Sequence, residues 1–174
     1  MKKLSNLDTP PEMIGVCKIN DNYKVEGNII LALDDIQDPG NLGTILRTVD
    51  SIGLNQIIVS KGTADAFNSK VVRSTMGAIF RIKIIEVENL AQEIKEMRKH
   101  HFKLMVTSLQ TKNSIYDIDF NKKIIVIGNE ANGVSKNLLD LATQKIKIPM
   151  IGKTESLNAA VATGIILYEA IRNR

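Results

Sequence analysis

Six short runs dominated by isoleucine and valine, at residues 29–33, 56–59, 82–87, 104–107, 124–127 and 146–148, alternate along the chain with stretches of helical periodicity. Uninterrupted apolar runs of this length suit strands covered on both faces, and such strands belong to parallel sheets. The stretches between them supply the crossovers that parallel strands require. Leu42, Ile45, Leu46, Val49 and Ile52 fall at i, i+3, i+4, i+7 and i+10, with Gly53 placed to end that helix in a left-handed conformation. Further helices are expected over residues 68–76, 90–100, 134–142 and 157–172. The alternation predicts an α/β domain, a mostly parallel sheet with helices on both faces.

Length allows one such domain. A chain of 174 residues, 44% hydrophobic and 24% charged, buries enough surface to fold without disulfides or metal. The single Cys17 cannot form an internal bridge, and with only His100 and His101 beside it a zinc cluster is excluded. A net charge of +4 leans toward an anionic partner without specifying one. No apolar run approaches the roughly 18 residues of a membrane span. The opening Met-Lys-Lys-Leu-Ser-Asn is not followed by an apolar signal core, so a cytoplasmic location is expected. Residues 1–28, with Pro10-Pro11 and Asn20-Asp21-Asn22, read as a lead-in segment, and the domain is expected at residues 29–174. In the last helix Ala159, Ala160, Val161, Ala162, Ile165, Ile166, Leu167 and Ala170 leave no fully polar face until its end. That pattern predicts burial all round and hence a subunit interface.

Ligands of open parallel sheets sit beyond the carboxyl ends of the strands, and three loops there are unusual. The first, Asp38-Pro39-Gly40-Asn41-Leu42-Gly43-Thr44-Ile45-Leu46-Arg47, enters a helix with Asn41 as the expected N-cap. Arg47 falls away from the Leu42, Leu46 and Val49 stripe, in line with Gly43 and Asp50, which frees its guanidinium for a ligand or for solvent. The second, Ile127-Gly128-Asn129-Glu130-Ala131-Asn132-Gly133-Val134-Ser135, has the glycine spacing of a phosphate loop, but Val134 stands where the lysine must be. Gly152-Lys153-Thr154 has the lysine and lacks the upstream glycine, so a P-loop nucleotide hydrolase is rejected, and there is no Gly-x-Gly-x-x-Gly for a dinucleotide. The third is Ile148-Pro149-Met150 followed by Ser156-Leu157-Asn158, where Ser156 is placed to cap the last helix and Asn158 adds an amide on its first turn. Read singly, each loop is also consistent with ordinary capping and turns.

Taken together and in order, these motifs resemble the SpoU-type RNA 2′-O-ribose methyltransferases of the SPOUT superfamily. The resemblance runs from about residue 29 to the C-terminus and includes Lys70-Val71-Val72-Arg73-x-x-Met-Gly-Ala and Leu-Tyr-Glu in the last helix. It implies a C-terminal trefoil knot, S-adenosylmethionine as cofactor with no metal, and a homodimer packed through the last helix. It implies methyl transfer to a ribose 2′-hydroxyl of RNA, rRNA before tRNA. Carried over by position, Thr107, Ser108, Leu109, Ile127, Gly128, Asn129, Ile148, Met150 and Leu157 would hold the cofactor. Asn41, Arg47, Glu130, Ser156 and Asn158 would form the catalytic set. Ala159-Ala160 departs from the Val-Ser often found after Ser-Leu-Asn, a matter of packing more than chemistry. Many relatives carry an N-terminal RNA-binding domain, of which residues 1–28 resemble only the connecting tail.

Lys70 and Arg73, one helical turn apart beside the first motif, and Arg81 are expected to contact RNA phosphates. An arginine is a reluctant base, so Arg47 is read as the cation that stabilises a developing alkoxide. A catalytically silent RNA-binding or cofactor-binding dimer of the same fold is the alternative, disfavoured because the polar set is complete.

Overall fold

The structure, a computed structural model, describes residues 9, 12–19 and 26–172. Most of the lead-in, including Pro10-Pro11 and Asn20-Asp21-Asn22, lies outside the described residues; residues 12–19 are exposed and irregular. Six strands follow, β1 (Ile29–Asp34), β2 (Gln56–Ser60), β3 (Lys83–Val87), β4 (Lys103–Thr107), β5 (Lys123–Gly128) and β6 (Gln144–Ile146). They form one sheet in the order β3-β2-β1-β5-β4-β6, with every neighbouring pair parallel. Between and after them run α1 (Pro39–Ser51), α2 (Ser69–Ser74), α3 (Leu90–Arg98), α4 (Lys136–Leu141) and α5 (Ala159–Ile171), with short 3-10 turns at Ala78–Phe80 and Ile115–Asp117.

The pleat divides the core in two. Ile29, Leu31 and Leu33 of β1 face a cluster shared with Leu42 and Leu46 of α1 and Ile166 and Leu167 of α5. Ile30 and Ala32 face Ile94 of α3 and Leu138 of α4 on the other side. Side chains of one strand alternate between faces, so a strand apolar at every position requires helices on both, as the composition of these runs predicted. Strand order reverses at β1, with β2 and β3 to one side and β5, β4 and β6 to the other. Such a reversal opens a crevice at the carboxyl ends of the central strands. Register places Leu33 beside Ile127 and Asp34 beside Gly128, so the loops after β1 and β5 start level with each other.

Several element ends differ from the sequence-based expectation. Asp38, not Asn41, caps α1: Pro39, with no N–H to satisfy and φ already set, fits the first helical position, and Asp38 Oδ1 accepts the Asn41 N–H at 2.7 Å. Asn158, not Ser156, caps α5, accepting the N–H groups of Ala160 and Val161. The last strand ends at Ile146 instead of Ile148, because Lys147 turns to pair with the loop at Asn113 and Ile115. Ile82 precedes β3 and packs in the core. Burial of α5 is one-sided in the single chain: Ala159, Ala160, Thr163, Ile166, Leu167 and Ala170 are buried, while Val161 and Tyr168 are 51% and 54% exposed. Among the described residues no helix is long and apolar enough to cross a membrane.

Candidate active site

Three segments far apart in sequence meet at the carboxyl ends of the strands through one chain of side-chain hydrogen bonds. Asn158 at the head of α5 donates from Nδ2 to Asn41 Oδ1 at 2.9 Å, and Asn41 donates from Nδ2 to Glu130 Oε1 at 2.8 Å. The direction of these bonds is dictated by the backbone. Asn158 Oδ1 accepts the first amides of α5, so only its NH2 is free to face Asn41. Asn41 must then present its oxygen to Asn158 and its NH2 to Glu130, which accepts as a carboxylate. The three residues come from the loop–helix after β1, the loop after β5 and the segment after β6.

The loop after β5 is held rigid. Asn129 bridges it, donating from Nδ2 to the Asp35 carbonyl at 2.8 Å and accepting the N–H groups of Ala131 and Asn132 on Oδ1. Its backbone exchanges two hydrogen bonds with Gly133. A Cβ on Gly128 would stand 2.2 Å from Gly133 C and Val134 N, so only glycine lets the loop close on itself. Two acids that the sequence patterns leave unmarked complete the frame. Asp34, 8% exposed, accepts the Ser135 N–H on Oδ2 at 2.7 Å. Asp35 adopts a left-handed backbone with φ 64°, its amide donating to Ser60 Oγ. The signal available in the sequence was an acid ending an otherwise apolar buried strand, which calls for a hydrogen-bonding partner.

The residues assigned to the cofactor by resemblance lie at the carboxyl ends of β4 and β5 and in the segments after β4, β5 and β6, three adjacent strands. The segments after β4 and β6 are laced together: the Ser108 N–H donates to the Ile146 carbonyl, Ile115 N–H to the Lys147 carbonyl and Lys147 N–H to the Asn113 carbonyl. Thr107 Oγ1 donates to the Val126 carbonyl of β5. Leu109 is exposed, and Ile148, Met150 and Leu157 are half-buried. Aliphatic surface beside main-chain polar groups is the donor set that suits a purine nucleoside bearing a sulfonium, so the residues present fit S-adenosylmethionine.

Other candidates lie apart. Ser156 is exposed two residues before the cap. Arg47 is exposed on α1, six residues beyond Asn41 and so about 120° around the helix from it. No hydrogen bond or ion pair joins Arg47 to Asn41, Glu130 or Asn158 among the described residues. Lys70 and Arg73 are exposed on α2, which packs against α1 so closely that Ser74 Oγ occupies the space a side chain at Gly43 would need. Arg81 grips Asp50 of α1, Nε to Oδ1 at 2.9 Å and Nη2 to Oδ2 at 2.7 Å. This charged, two-pronged contact raises the Arg81 pKa further and holds the Asp50 carboxyl below its ordinary range. Two surface hollows lie elsewhere, one at the opposite ends of β1 and β2 around Asn28 and Asn55, the other between α3 and α4.

Comparison with known proteins is consistent across sequence and structure. Residues 28–168 match the family described as SpoU rRNA Methylase. The chain is 35% identical over 166 residues to 23S rRNA (guanosine(2553)-2′-O)-methyltransferase RlmP of Bacillus subtilis, covering 95% of this chain and 66% of that protein. A TrmH-family protein of Porphyromonas gingivalis superimposes with a TM-score of 0.86 at 32% identity, covering 99% of this chain and 71% of that one. The SpoU methyltransferase AviRb of Streptomyces viridochromogenes, in complex with AdoMet, superimposes with a TM-score of 0.79 at 31% identity, covering 85% and 61%. The chain spans about two thirds of the length of the curated relatives it matches. A parallel sheet reversed at β1, motif loops joined by the Glu130–Asn41–Asn158 bonds and a family match over most of the sequence lead to one conclusion: this chain belongs to the SpoU methylase family.

Proposed function

We propose that the chain is an S-adenosylmethionine-dependent RNA 2′-O-ribose methyltransferase acting in the cytoplasm as a homodimer, with rRNA as the favoured substrate. The observation that carries this reading is the hydrogen-bonded line Glu130–Asn41–Asn158, which ties together three motif segments. Family membership and the activity for which the Bacillus subtilis relative is named support ribose methylation and the rRNA preference. Residues 29–174 are the methyltransferase domain and residues 1–28 a lead-in to it. A C-terminal trefoil knot is supported by the path of the chain: from edge strand β6 it passes the β4–β5 connection at Ile115 and returns to Asn41 at Asn158.

When bound, the cofactor supplies a methyl group on a positively charged sulfur that leaves neutral. Thr107, Ser108, Leu109, Ile127, Gly128, Asn129, Ile148, Met150 and Leu157 hold it through main-chain groups and aliphatic contact. The chain's task is to align a ribose oxygen in line with that methyl and to stabilise the charge the oxygen acquires as its proton departs. Arg47 provides the positive charge and holds the adjacent phosphate. Asn158 and Ser156 position ribose and phosphate, Glu130 fixes the direction of the amide bonds, and Asn41 braces them. Lys70, Arg73 and Arg81 contact phosphates.

Calorimetry with a chelator present tests the cofactor, and binding is expected. Incubation with labelled cofactor and cellular RNA, followed by digestion to nucleosides, should yield a 2′-O-methylated nucleoside. Label on a base, or none on RNA, would overturn the reading.

A further inference from the structure

Between Ala66 and Ile82 the chain has three cations, Lys70, Arg73 and Arg81, and no acid. The same stretch exposes three large apolar side chains: Phe67 at 51%, Met76 at 72% and Phe80 at 73%. Of the chain's four phenylalanines, Phe120 is buried and Phe102 half-buried, so both exposed ones are here. The segment is anchored, and its exposed face is therefore fixed. Val71, Thr75, Ala78 and Ile79 are buried beneath it, and Asn68 caps α2 through the Lys70 N–H. Between α2 and the 3-10 turn, Met76 and Gly77 both take left-handed backbones, φ 51° and 88°, and Met76 projects outward. The Arg81–Asp50 contact ties the turn to α1 within one helical turn of Arg47.

Burying aromatic and thioether surface would be the ordinary outcome of folding. A chain that leaves it outside next to Lys70 and Arg73, which have no ion-pair partner among the described residues, offers a surface complementary to the flat bases and phosphates of single-stranded nucleic acid. We infer that Phe80, with Met76 and Phe67, is a stacking platform for an unpaired RNA base, with Lys70 and Arg73 on the flanking phosphates. Asp50 is already neutralised by Arg81, and the next acid in sequence, Asp65, is turned to the backbone, its Oδ1 accepting the Phe67 N–H at 2.8 Å. A duplex hides its base faces and can use only the cations. The platform therefore selects single-stranded or looped RNA and holds a nucleotide neighbouring the one presented to Arg47. This rests on the RNA methyltransferase reading.

The chain contains no tryptophan, so Phe80→Trp introduces one reporter at an exposed position that tolerates the change. Titrated with single-stranded oligoadenylate of about 12 nucleotides, its emission should be quenched, whereas a duplex of equal length should leave it unchanged. Phe80→Ala should weaken single-strand binding about 10-fold or more with the slope of log affinity against log salt unchanged. Lys70→Ala should instead lower that slope by about 0.7. Emission unaffected by saturating single strand would overturn the platform, as would equal losses for single strand and duplex. A shift that follows protein concentration without RNA would replace it by a contact between copies of the chain. Methyl transfer to RNA by the wild type, run in parallel, reports on the underlying reading separately: a chain that methylates RNA without quenching loses only the platform.

Discussion

Asn158 holds two roles that a single substitution can separate. Its oxygen caps α5 and its NH2 faces Asn41. Asn158→Asp keeps a good cap, and a carboxylate at a helix N-terminus is favourable. Its second oxygen, however, would face Asn41 Oδ1, and turning the Asn41 amide to relieve this would set an oxygen against Glu130. Thermal stability should stay close to wild type while turnover falls by at least about 10-fold, since a charge-bearing hydrogen bond contributes roughly 1.5–3 kcal/mol. Equal activity would show that the line does not matter to chemistry. Gly128→Ala should behave oppositely, because its Cβ collides with backbone at 2.2 Å: the loop must open, and stability and cofactor affinity should fall together in calorimetry. Arg47→Ala should leave cofactor affinity nearly intact and lower single-turnover methyl transfer by about 10²-fold or more. Arg47→Lys should rescue poorly, as it lacks the planar fork.

At the scale of elements, the Asp50–Arg81 contact joins α1 to the 3-10 turn across 31 residues. Asp50 titrates below its ordinary value of 3.8 because of the Arg81 hydrogen bonds. A lowered folded pKa means the contribution is complete above about pH 4 and is lost as pH falls through the folded value. Wild type should therefore hold an advantage over Asp50→Asn near neutrality that shrinks in acid, read as melting temperature against pH; parallel curves would show the pair to be idle. The sheet itself was legible because six apolar runs and a 3.6-residue stripe state which faces are buried, and Leu42, Ile45, Leu46 and Val49 are all fully buried. Helix ends were less legible. Asp38, Asn41, Ser156 and Asn158 are all plausible caps by residue type, and what selects Asp38 and Asn158 is where the chain leaves the sheet. The bonds among Asn41, Glu130 and Asn158 span 89 and 117 residues; the motifs marked the residues, but only the fold decides which of them touch. Arg47, placed about 120° away from Asn41, shows the same limit.

At the scale of the whole molecule, one helix is covered on one side only by the described residues. Val161, Ile165 and Tyr168 fall at i, i+4 and i+7 on α5, so they share a face, and Val161 and Tyr168 are about half exposed while the opposite face is sealed by Ile166 and Leu167. Tyr168 lies within 3.3 Å of Ser51 at the end of α1, which extends the uncovered strip across both helices. Asn158 heads the same helix, so a second copy seated on this strip would stand beside the Asn41–Glu130 line and could bring its own Arg47 toward it, closing a gap that one chain leaves. Sedimentation should give a dimer of 19.3 kDa chains at micromolar concentration. Val161→Arg adds a charge only where the surface is uncovered, so the fold and its circular dichroism should persist while the dimer weakens about 100-fold or more, the loss expected from an unpaired charge at an interface. Turnover should fall with the dimer fraction and return as protein concentration is raised. A monomeric Val161→Arg protein with wild-type turnover would show that each chain carries its whole site, and Arg47 would then have to reach the cluster by movement of α1 alone.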